Sequence, residues 1–479
     1  MRSDLQVIIV GAGFGGLGMA IQLARRGERR FVILEKAGDV GGCWRDNTYP
    51  GAACDVPSHL YSFSFEPSAA WSRAYAPQPE IHAYLRACAS KYGLDAHLRF
   101  GTEVRGATYD EAAGMWNVDI GGEQLRARAL VVACGQLSRP AFPRIPGLER
   151  FRGVQFHSAR WNHDYPLDGK RVAVIGTGAS AIQFVPAIAP RVGRLQLFQR
   201  SPPYVIPKPD RAYPAWERAL HRRLPALTAA SRARIYLRNE SRAFTLGVPR
   251  LVAVYDWIFR KHLERQIADP VLRAKLMPDY PIGCKRVLIS NDYYPALARD
   301  NVEVITDAIR EISERGIVTG DGREHTVDAI IFGTGFTANE FLAPMTIRGP
   351  NGTLDDAWQR GAEAYLGITV SGFPNLFVLY GPNTNLGHNS IIYMLESQIG
   401  YVMQCLEQLH RVRQLDVKTG VQHEFNTSLQ QQLAMSVWAG DCTSWYKTAD
   451  GKLTNNWPGY TFTYRRITRT LDLDDYTIA

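Results

Sequence analysis

Apolar and polar positions at the start of the chain follow the order strand, turn, helix, strand. An apolar run at Leu5–Val10 leads into a glycine-rich turn at 11–16, helical spacing over 17–26 and a second apolar run at Phe31–Leu34. A strand that passes through a glycine turn into a helix is the unit that binds dinucleotides in α/β proteins. The pattern therefore predicts one such unit at the start of the chain.

The same order returns in the middle of the chain. It comprises an apolar run at Arg171–Ile175, a glycine turn at 176–181, helical spacing over 182–188 and an apolar run over 195–198. Two units of one design predict an α/β fold with two Rossmann-like dinucleotide-binding domains.

A stretch at about 210–280 interrupts the second unit and is rich in Arg, Leu and Ala, which predicts a helical insertion with breaks at Pro225 and Pro249. Residues 211–270 hold twelve Lys and Arg against five Asp and Glu, and so carry +7 of the net charge of +9 (55 basic minus 46 acidic residues). A charge confined to one insertion argues against a nucleic-acid partner. A solvated helical face is the favoured interpretation, and contact with a membrane surface is the less favoured one.

Strand patterns resume at Ala329–Phe332 and at 375–380. A long helix is predicted to begin near Asn389 and Ser390, because both residue types cap helices well. We therefore divide the chain into three parts. They are the first part of one dinucleotide-binding domain, a second such domain with the insertion, and the return of the first domain with a C-terminal region: 1–145, 146–327 and 328–479.

Glycines at fixed positions of such a turn let backbone N–H groups approach a pyrophosphate at the start of a helix. The first turn carries the complete fingerprint, and the second carries an accepted variant that ends in alanine. The predicted cofactor-binding positions of the two turns are Gly11, Gly13, Gly16, Gly176, Gly178 and Ala181.

The two units differ in charge at equivalent positions. Glu35 lies 24 positions after Gly11, and Arg200 lies 24 positions after Gly176. Glu35 can accept hydrogen bonds from ribose hydroxyls but would repel a 2′-phosphate, whereas Arg200 can pair with that phosphate. The first unit is therefore predicted to bind FAD or NAD, and the second NADPH. Lys208 is a candidate second cation for the phosphate, and an ordinary exposed lysine is the equally open alternative.

The composition is that of a globular protein, with 46% hydrophobic and 21% charged residues. Seven cysteines scattered over 479 residues argue against a disulfide framework and favour a reducing, cytoplasmic location. The start of the chain runs directly into the first strand, so we do not expect it to be a signal peptide. No Cys/His cluster has the spacing of a metal site.

One site for NADPH and one for a nucleotide with a free ribose suggest a flavoenzyme in which NADPH reduces FAD. Disulfide reductases of related layout place a Cys-x4-Cys pair after the first unit, but here Cys43 and Cys54 are eleven positions apart. Oxygen is therefore the predicted electron acceptor.

The segment 151–161 precedes the second glycine turn and reads FRGVQFHSARW. It resembles the F-x-G-x-x-x-H-x-x-x-W fingerprint of type I Baeyer–Villiger monooxygenases, within the flavin-containing monooxygenase superfamily. Members that oxidise heteroatoms end this motif with Tyr, so Trp161 favours the Baeyer–Villiger branch. The resemblance extends from about residue 11 to 387 and includes segments at 49–65, 133–135, 283–287 and 332–336.

The resemblance implies an enzyme that uses FAD, NADPH and O2 to convert a ketone into an ester or lactone through a flavin C4a-peroxide. By match to the family motif, Arg286 is the predicted catalytic cation that keeps the peroxide anionic, and Asp55 is its partner. A cation about 4 Å from an anion contributes roughly 4 kcal/mol at an effective dielectric near 20, or about three pKa units. Lys285 is predicted to contact the NADP phosphate. Further predicted cofactor-binding residues are Phe14, Trp44 and Ser180.

The aromatic run Tyr-Ser-Phe-Ser-Phe at 61–65 alternates with period two, which predicts a strand with three aromatic side chains on one face. That face either lines an apolar substrate pocket or is buried in the core. Two alternatives to the ketone oxygenase remain open. The same machinery could oxidise nitrogen or sulfur atoms of small molecules, or the chain could be a non-catalytic dinucleotide-binding or redox-sensing protein.

Overall fold

The computed structural model describes residues 4–247 and 249–479. Its strands, numbered along the chain, are β1 (Leu5–Val10), β2 (Phe31–Leu34), β3 (Leu98–Arg99), β4 (Gly106–Asp110), β5 (Met115–Asp119), β6 (Gln124–Val132), β7 (Val154–His157), β8 (Arg171–Ile175), β9 (Arg194–Phe198), β10 (Val205–Ile206), β11 (Leu288–Ile289), β12 (Val302–Ile305), β13 (Ile309–Ile312), β14 (Gly316–Thr319), β15 (Glu324–Thr326), β16 (Ala329–Phe332), β17 (Thr346–Gly349), β18 (Gly352–Thr353), β19 (Leu376–Val378), β20 (Leu415–Val417) and β21 (Tyr476–Ile478).

The α-helices are α1 (Phe14–Arg25), α2 (Cys43–Asp46), α3 (Gln78–Lys91), α4 (Ala181–Ile188), α5 (Ala215–Arg223), α6 (Pro225–Gly247), α7 (Pro249–Gln266), α8 (Pro270–Lys275), α9 (Tyr293–Leu297), α10 (Leu354–Ala357), α11 (Ile391–Gln408), α12 (Thr419–Ala434) and α13 (Thr461–Ile467). The long helix expected near Asn389 is α11. Its cap is Ser390, whose side chain accepts a hydrogen bond from the N–H of Ile392.

The first sheet has the strand order β18-β17-β4-β5-β6-β1-β2-β3, and β19 also pairs with β6. Strands β19, β6, β1 and β2 are parallel. Helices α1, α3 and α11 cover one face of these strands with a buried apolar core. Since β17–β19 come from the later part of the chain, this domain is built from two separated segments, which agrees with the predicted return segment.

The second sheet is parallel throughout and has the order β12-β9-β8-β16-β7. It contains β16, which pairs with β7 on one side and β8 on the other. The boundary that we predicted at residue 328 is therefore wrong, because Ala329–Phe332 completes the second domain before the chain returns to the first. A strand pattern shows that a strand exists but does not show which sheet it joins.

The predicted insertion at about 210–280 corresponds to helices α5–α8. Pro225 and Pro249, the predicted breaks, are the first residues of α6 and α7, a position where the missing N–H of proline costs nothing. In the described parts of the chain, no helix combines the length and apolar character needed to cross a membrane.

The expected strand at 61–65 is wrong. Residues 61–65 form turns and bends rather than a strand, and Phe63 is fully buried while its ring stacks on Phe65 at 4.9 Å. The alternation reflects packing of the individual aromatic side chains rather than a pleated backbone. The chain also contains a disulfide, Cys284–Cys442, across 158 positions, so sparse cysteines did not exclude a pair that the fold brings together.

Candidate active site

Asp55 and Arg286, the predicted catalytic residues, form an ion pair between the two domains. Nε and Nη2 of Arg286 donate to the same oxygen, Oδ2 of Asp55, at 2.9 and 2.6 Å. The Arg286 and Asp55 side chains are 27% and 33% exposed, so the pair is only partly shielded from solvent. The negative charge of Asp55 is the main cause that raises the pKa of Arg286 above its usual value. The guanidinium therefore remains a cation throughout the pH range of enzyme activity.

The loop before α11 holds the other side of the guanidinium. Nη1 of Arg286 donates to the backbone oxygen of Leu386 at 3.2 Å. The phenol of Tyr446 is fully buried, and burial raises its pKa although the charge of Arg286 acts to lower it. Burial likewise raises the pKa of the nearby Tyr380 phenol. The arginine thus lies near two neutral phenols, and the groups that bind its guanidinium, Asp55 and Leu386, both come from the first domain.

Asp55 lies in an irregular segment that both domains hold in place. Within the first domain, the N–H of Cys54 donates to the backbone oxygen of Ala76 at 3.0 Å. From the second domain, the side chain of Gln183 on α4 bonds both the N–H and the C=O of Ala53, at 3.3 and 2.9 Å. The position of the carboxylate therefore depends on how the two domains dock.

The first glycine turn is shaped to receive a ligand. Gly11 has φ +99°, and a Cβ there would lie 2.7 Å from the backbone oxygen of Ala133, while a Cβ at Gly16 would lie 1.8 Å from the oxygen of Gly11. At Gly13, by contrast, the nearest atom to an added Cβ is Cα of Gly42 at 3.8 Å. Open space thus lies against the turn at the start of α1, where a pyrophosphate fits.

Glu35 provides a fixed negative charge beside this turn. The residue is 5% exposed, and its carboxylate accepts hydrogen bonds from the N–H groups of Ala12 and Ala37 at 2.9 and 3.0 Å. Arg45 pairs with it at 3.1 Å. A carboxylate held at the end of β2 is suited to ribose hydroxyls and repels a 2′-phosphate, which fits FAD.

The second glycine turn repeats the geometry of the first. Gly176 has φ +105°, and a Cβ there would lie 2.5 Å from the backbone oxygen of Gly333. A Cβ at Gly178 would come no closer than 3.9 Å to that oxygen, so this turn also borders open space. Ala181 is fully buried where α4 begins.

Two cations lie together at the end of β9. Lys285 donates from Nζ to Oγ of Ser201 at 2.8 Å, and its ammonium lies 4.2 Å from the centre of the Tyr280 ring. Burial and then the positive charge of Arg200 lower the pKa of Lys285. An anionic ligand would relieve this repulsion, so Arg200 and Lys285 fit the 2′-phosphate of NADPH.

Lys208 occupies a different environment. Its Nζ lies 3.9 Å from Oδ2 of Asp210 and 5.0 Å from the centre of the Tyr75 ring. Burial lowers the pKa of Lys208, and the charges of Asp210 and Asp55 act in the opposite direction. The structure therefore places Lys285, rather than Lys208, beside Arg200.

The remaining predicted cofactor residues lie next to the two turns. Phe14 is the first residue of α1, and its ring contacts those of Tyr61 and Phe63 with centroids 5.3 Å apart. Nε1 of Trp44 donates to the hydroxyl of Tyr61 at 3.0 Å. Ser180 is the N-cap residue of α4. Their contacts with cofactors stay predictions.

A family model described as flavin-binding monooxygenase-like matches residues 4–347. A Pseudomonas aeruginosa protein named Baeyer-Villiger monooxygenase is 50% identical over 482 residues, which cover 99% of this chain and 91% of that protein. The chain belongs to the flavin-binding monooxygenase-like family. The family resemblance predicted from the sequence is confirmed.

Solved structures extend this comparison to the fold. An oxidised steroid monooxygenase bound to NADP is similar with a TM-score of 0.89 and 31% identity over 99% of each chain. A closed crystal structure of cyclohexanone monooxygenase is similar with a TM-score of 0.90 and 28% identity over the whole of each chain. The predicted α/β fold with two Rossmann-like domains is confirmed.

In this flavin-binding monooxygenase-like protein, the fingerprint 151–161 connects the domains. His157 ends β7, is fully buried, and has a pKa lowered by burial to about 4. Nη1 of Arg160 lies 3.7 Å from Oδ2 of Asp46 in the first domain, and Trp161 packs against α4. The fingerprint therefore contributes a buried histidine to the second domain and, through Arg160, a contact with the first domain.

Sequence reasoning missed three contributors to the site: Gln183, Leu386 and Tyr446. Gln183 lies two positions after Ala181, the last residue of the second glycine fingerprint, and a polar residue on an otherwise apolar helix is a usable signal. Leu386 contributes a backbone oxygen and Tyr446 comes from the C-terminal region, so neither has a local signature. Among the described residues, no group of three or more His, Cys, Asp or Glu is placed to hold a metal ion.

Proposed function

We propose that this protein is an FAD- and NADPH-dependent Baeyer–Villiger monooxygenase, which inserts one atom of O2 into a ketone to give an ester or a lactone. The observation that carries the proposal is the Asp55–Arg286 pair, which places a permanent cation at the junction of two dinucleotide-binding domains. The relatives named Baeyer-Villiger monooxygenase support it at 50% and 47% identity.

The two glycine turns would hold the two cofactors. The first turn with Glu35 would bind FAD, and the second turn with Arg200 and Lys285 would bind NADPH. Bound FAD supplies the redox chemistry, since it accepts a hydride from NADPH and activates O2.

Arg286 would act on negative charge at the reacting oxygen atoms. Asp55 and the Leu386 oxygen engage three of its N–H groups, and a guanidinium has five. The remaining donors can bind an oxygen anion, including the one that forms when a ketone carbonyl is attacked. Because Asp55 and Leu386 fix the plane of the guanidinium, those donors are oriented before the substrate binds.

A small-molecule panel tests the proposal. The purified flavoprotein would be given NADPH, O2 and either a cyclic ketone or a thioether, with products identified by mass spectrometry. We expect a lactone from the ketone in proportion to the NADPH consumed. Sulfoxide without lactone would instead establish heteroatom oxidation, and a protein that neither binds flavin nor consumes NADPH would exclude both activities.

A further inference from the structure

Helix α6 of the insertion packs one of its faces against the first domain. Ile235 is 8% exposed and belongs to the apolar core of the first domain. Tyr236 stacks on Tyr393 of α11, with ring centres 4.9 Å apart. Polar contacts lie one turn to either side of these two residues, at Arg232 and Glu240, about 12 Å apart along the helix at 1.5 Å per residue.

Arg232 holds the chain that follows Asp55. Its Nη1 donates to the backbone oxygens of His59, Leu60 and Ser62 at 3.2, 3.2 and 2.9 Å. The guanidinium makes these bonds without a carboxylate in direct contact among the described residues, and burial lowers its pKa. It therefore fixes a turn that begins four residues after Asp55.

Glu240 holds the loop that supports Arg286. The residue is 6% exposed. Its Oε2 accepts from Nδ2 of Asn389 at 2.6 Å and from Oγ1 of Thr461 at 2.9 Å. Its Oε1 accepts from the N–H groups of Thr461 and Phe462 at 2.6 and 3.3 Å. Four donors thus converge on one buried carboxylate, which only an ionised acid can satisfy.

The charge state of Glu240 agrees with this arrangement. Burial acts to raise its pKa, but the nearby His388 side chain and hydrogen bonds from Asn389 and Thr461 outweigh burial and lower it. Nε2 of His388 lies 3.7 Å from the carboxylate. A neutral amide at this position would turn its NH2 group away from the fixed backbone N–H groups of Thr461 and Phe462 and toward Asn389 and the Thr461 hydroxyl. The hydroxyl can rotate to accept, but the Asn389 amide cannot turn, because its Oδ1 already accepts from the N–H of Ser390.

We propose that Glu240 is a positioning residue for oxygenation, which fixes the loop at 386–389 and through it the guanidinium of Arg286. Asn389 lies three residues from Leu386, whose backbone oxygen accepts from Nη1 of Arg286. Arg232 in the same way fixes the segment that follows Asp55. One helix of the insertion thus sets both halves of the ion pair. The inference rests on the oxygenation function proposed above.

The test compares Glu240→Gln with the wild-type flavoprotein. The variant keeps the shape of the side chain and its bonds to Thr461, but it loses the bond to Asn389. We expect the amount of lactone formed per NADPH consumed to fall about 5- to 20-fold. The KM for NADPH should stay within about two-fold, because the second glycine turn, Arg200 and Lys285 are untouched.

Glu264→Gln is the matched control. This glutamate lies on α7, is 46% exposed and contacts Lys261 at 2.8 Å. We expect its product yield and its KM for NADPH to equal those of the wild type. A loss of stability alone would lower the melting temperature of Glu240→Gln without changing product yield well below that temperature, which would overturn the proposal.

Two further variants keep the proposal testable if Glu240→Gln does not fold. Asn389→Ala removes the same hydrogen bond from the side of the loop and should reproduce the loss of product per NADPH. Arg232→Lys loosens the turn that follows Asp55 and should also lower the amount of product per NADPH. The exposed Arg234→Lys is its control. Normal yield in Asn389→Ala would refute the inference. A wild-type protein that oxidises no ketone would refute the proposed function instead.

Discussion

The two dinucleotide-binding units share a backbone arrangement but differ in charge. In both, the first glycine has a positive φ, +99° and +105°, and lies against a carbonyl of the crossing between domains. In both, the middle glycine borders open space. The difference lies at the end of the second strand, where a buried carboxylate faces the first turn and two cations flank the second.

The comparison shows which part of the repeated unit is free to change. The contact between turn and crossing strand requires glycine, because any Cβ would overlap a backbone oxygen. The residue 24 positions later makes no such contact and can carry either sign of charge. One backbone arrangement thus suits two different cofactors. The ion pair of Asp55 and Arg286 joins the two units.

The largest expected effect comes from removing the cation that joins the units. Arg286→Ala should lower the rate of ketone oxygenation by about 10²- to 10³-fold, the range found when one donor to an oxyanion is lost. Flavin content should be unchanged, since the described hydrogen bonds of Arg286 go to Asp55 and Leu386 and not to the first glycine turn or Glu35. Absorbance spectra and product analysis measure the two quantities.

The exposed Arg310→Ala is the control for that variant, since Arg310 pairs only with its neighbour Glu311 among the described residues. It should behave as the wild type. Unchanged ester or lactone formation in Arg286→Ala would show that the ion pair is purely structural.

The middle glycines offer a way to separate the units. In Gly13→Ala the added methyl group enters the space of the first turn, and in Gly178→Ala that of the second. We expect Gly13→Ala to lose FAD and Gly178→Ala to keep FAD but bind NADPH at least about ten-fold more weakly, which corresponds to about 1.4 kcal/mol. Flavin absorbance and titration with NADPH measure these losses.

Gly16→Ala is a useful contrast, because its Cβ would lie 1.8 Å from the Gly11 oxygen. It should fail to fold or melt well below the wild type, whereas the two middle-glycine variants should keep their folds. Loss of both cofactors from Gly178→Ala would contradict the separation of the sites.

The charge contrast itself predicts a smaller change. Arg200→Ala and Lys285→Ala should each lower kcat/KM for NADPH by about 10- to 50-fold, while the value for NADH changes less than about three-fold, because NADH lacks the 2′-phosphate. Lys208→Ala should leave the ratio of the two values near that of the wild type. Steady-state assays with both coenzymes give the ratios. An equal preference for NADH and NADPH in the wild type would show that the cations at the second unit do not select the coenzyme.

The parts of the fold that the sequence predicted well are those with local causes. The predicted bounds of Leu5–Val10, Phe31–Leu34 and Arg171–Ile175 coincide with β1, β2 and β8, since apolar runs beside glycine turns leave few alternatives. The partner of β16 was not predictable in this way, because pairing depends on how distant segments meet. The alternation at 61–65 failed for the opposite reason, since packing overrode a local pattern.

The same distinction between local and long-range causes applies to the residues of the site. Glu35 and Arg200 follow from fixed spacing within one unit, and the family motif supplied Asp55 and Arg286. Gln183 and Glu240 act across the boundary between domains. Their roles follow from the docking of two units, which no spacing within the chain encodes. Lys208 illustrates the limit, because the sequence offered it as a candidate cation for the phosphate, whereas its side chain lies beside Asp210.

The smallest expected effect on catalysis concerns the disulfide Cys284–Cys442, which ties the segment before Lys285 and Arg286 to the C-terminal region. Cys442→Ser should lower stability by about 2–5 kcal/mol, because a link across a long loop restricts the unfolded chain. Thermal unfolding would report this loss, with the exposed free cysteine Cys43→Ser as control. Dithiothreitol should lower the melting temperature of the wild type and of Cys43→Ser, but not that of Cys442→Ser. If all three respond alike, the bond does not carry the stability.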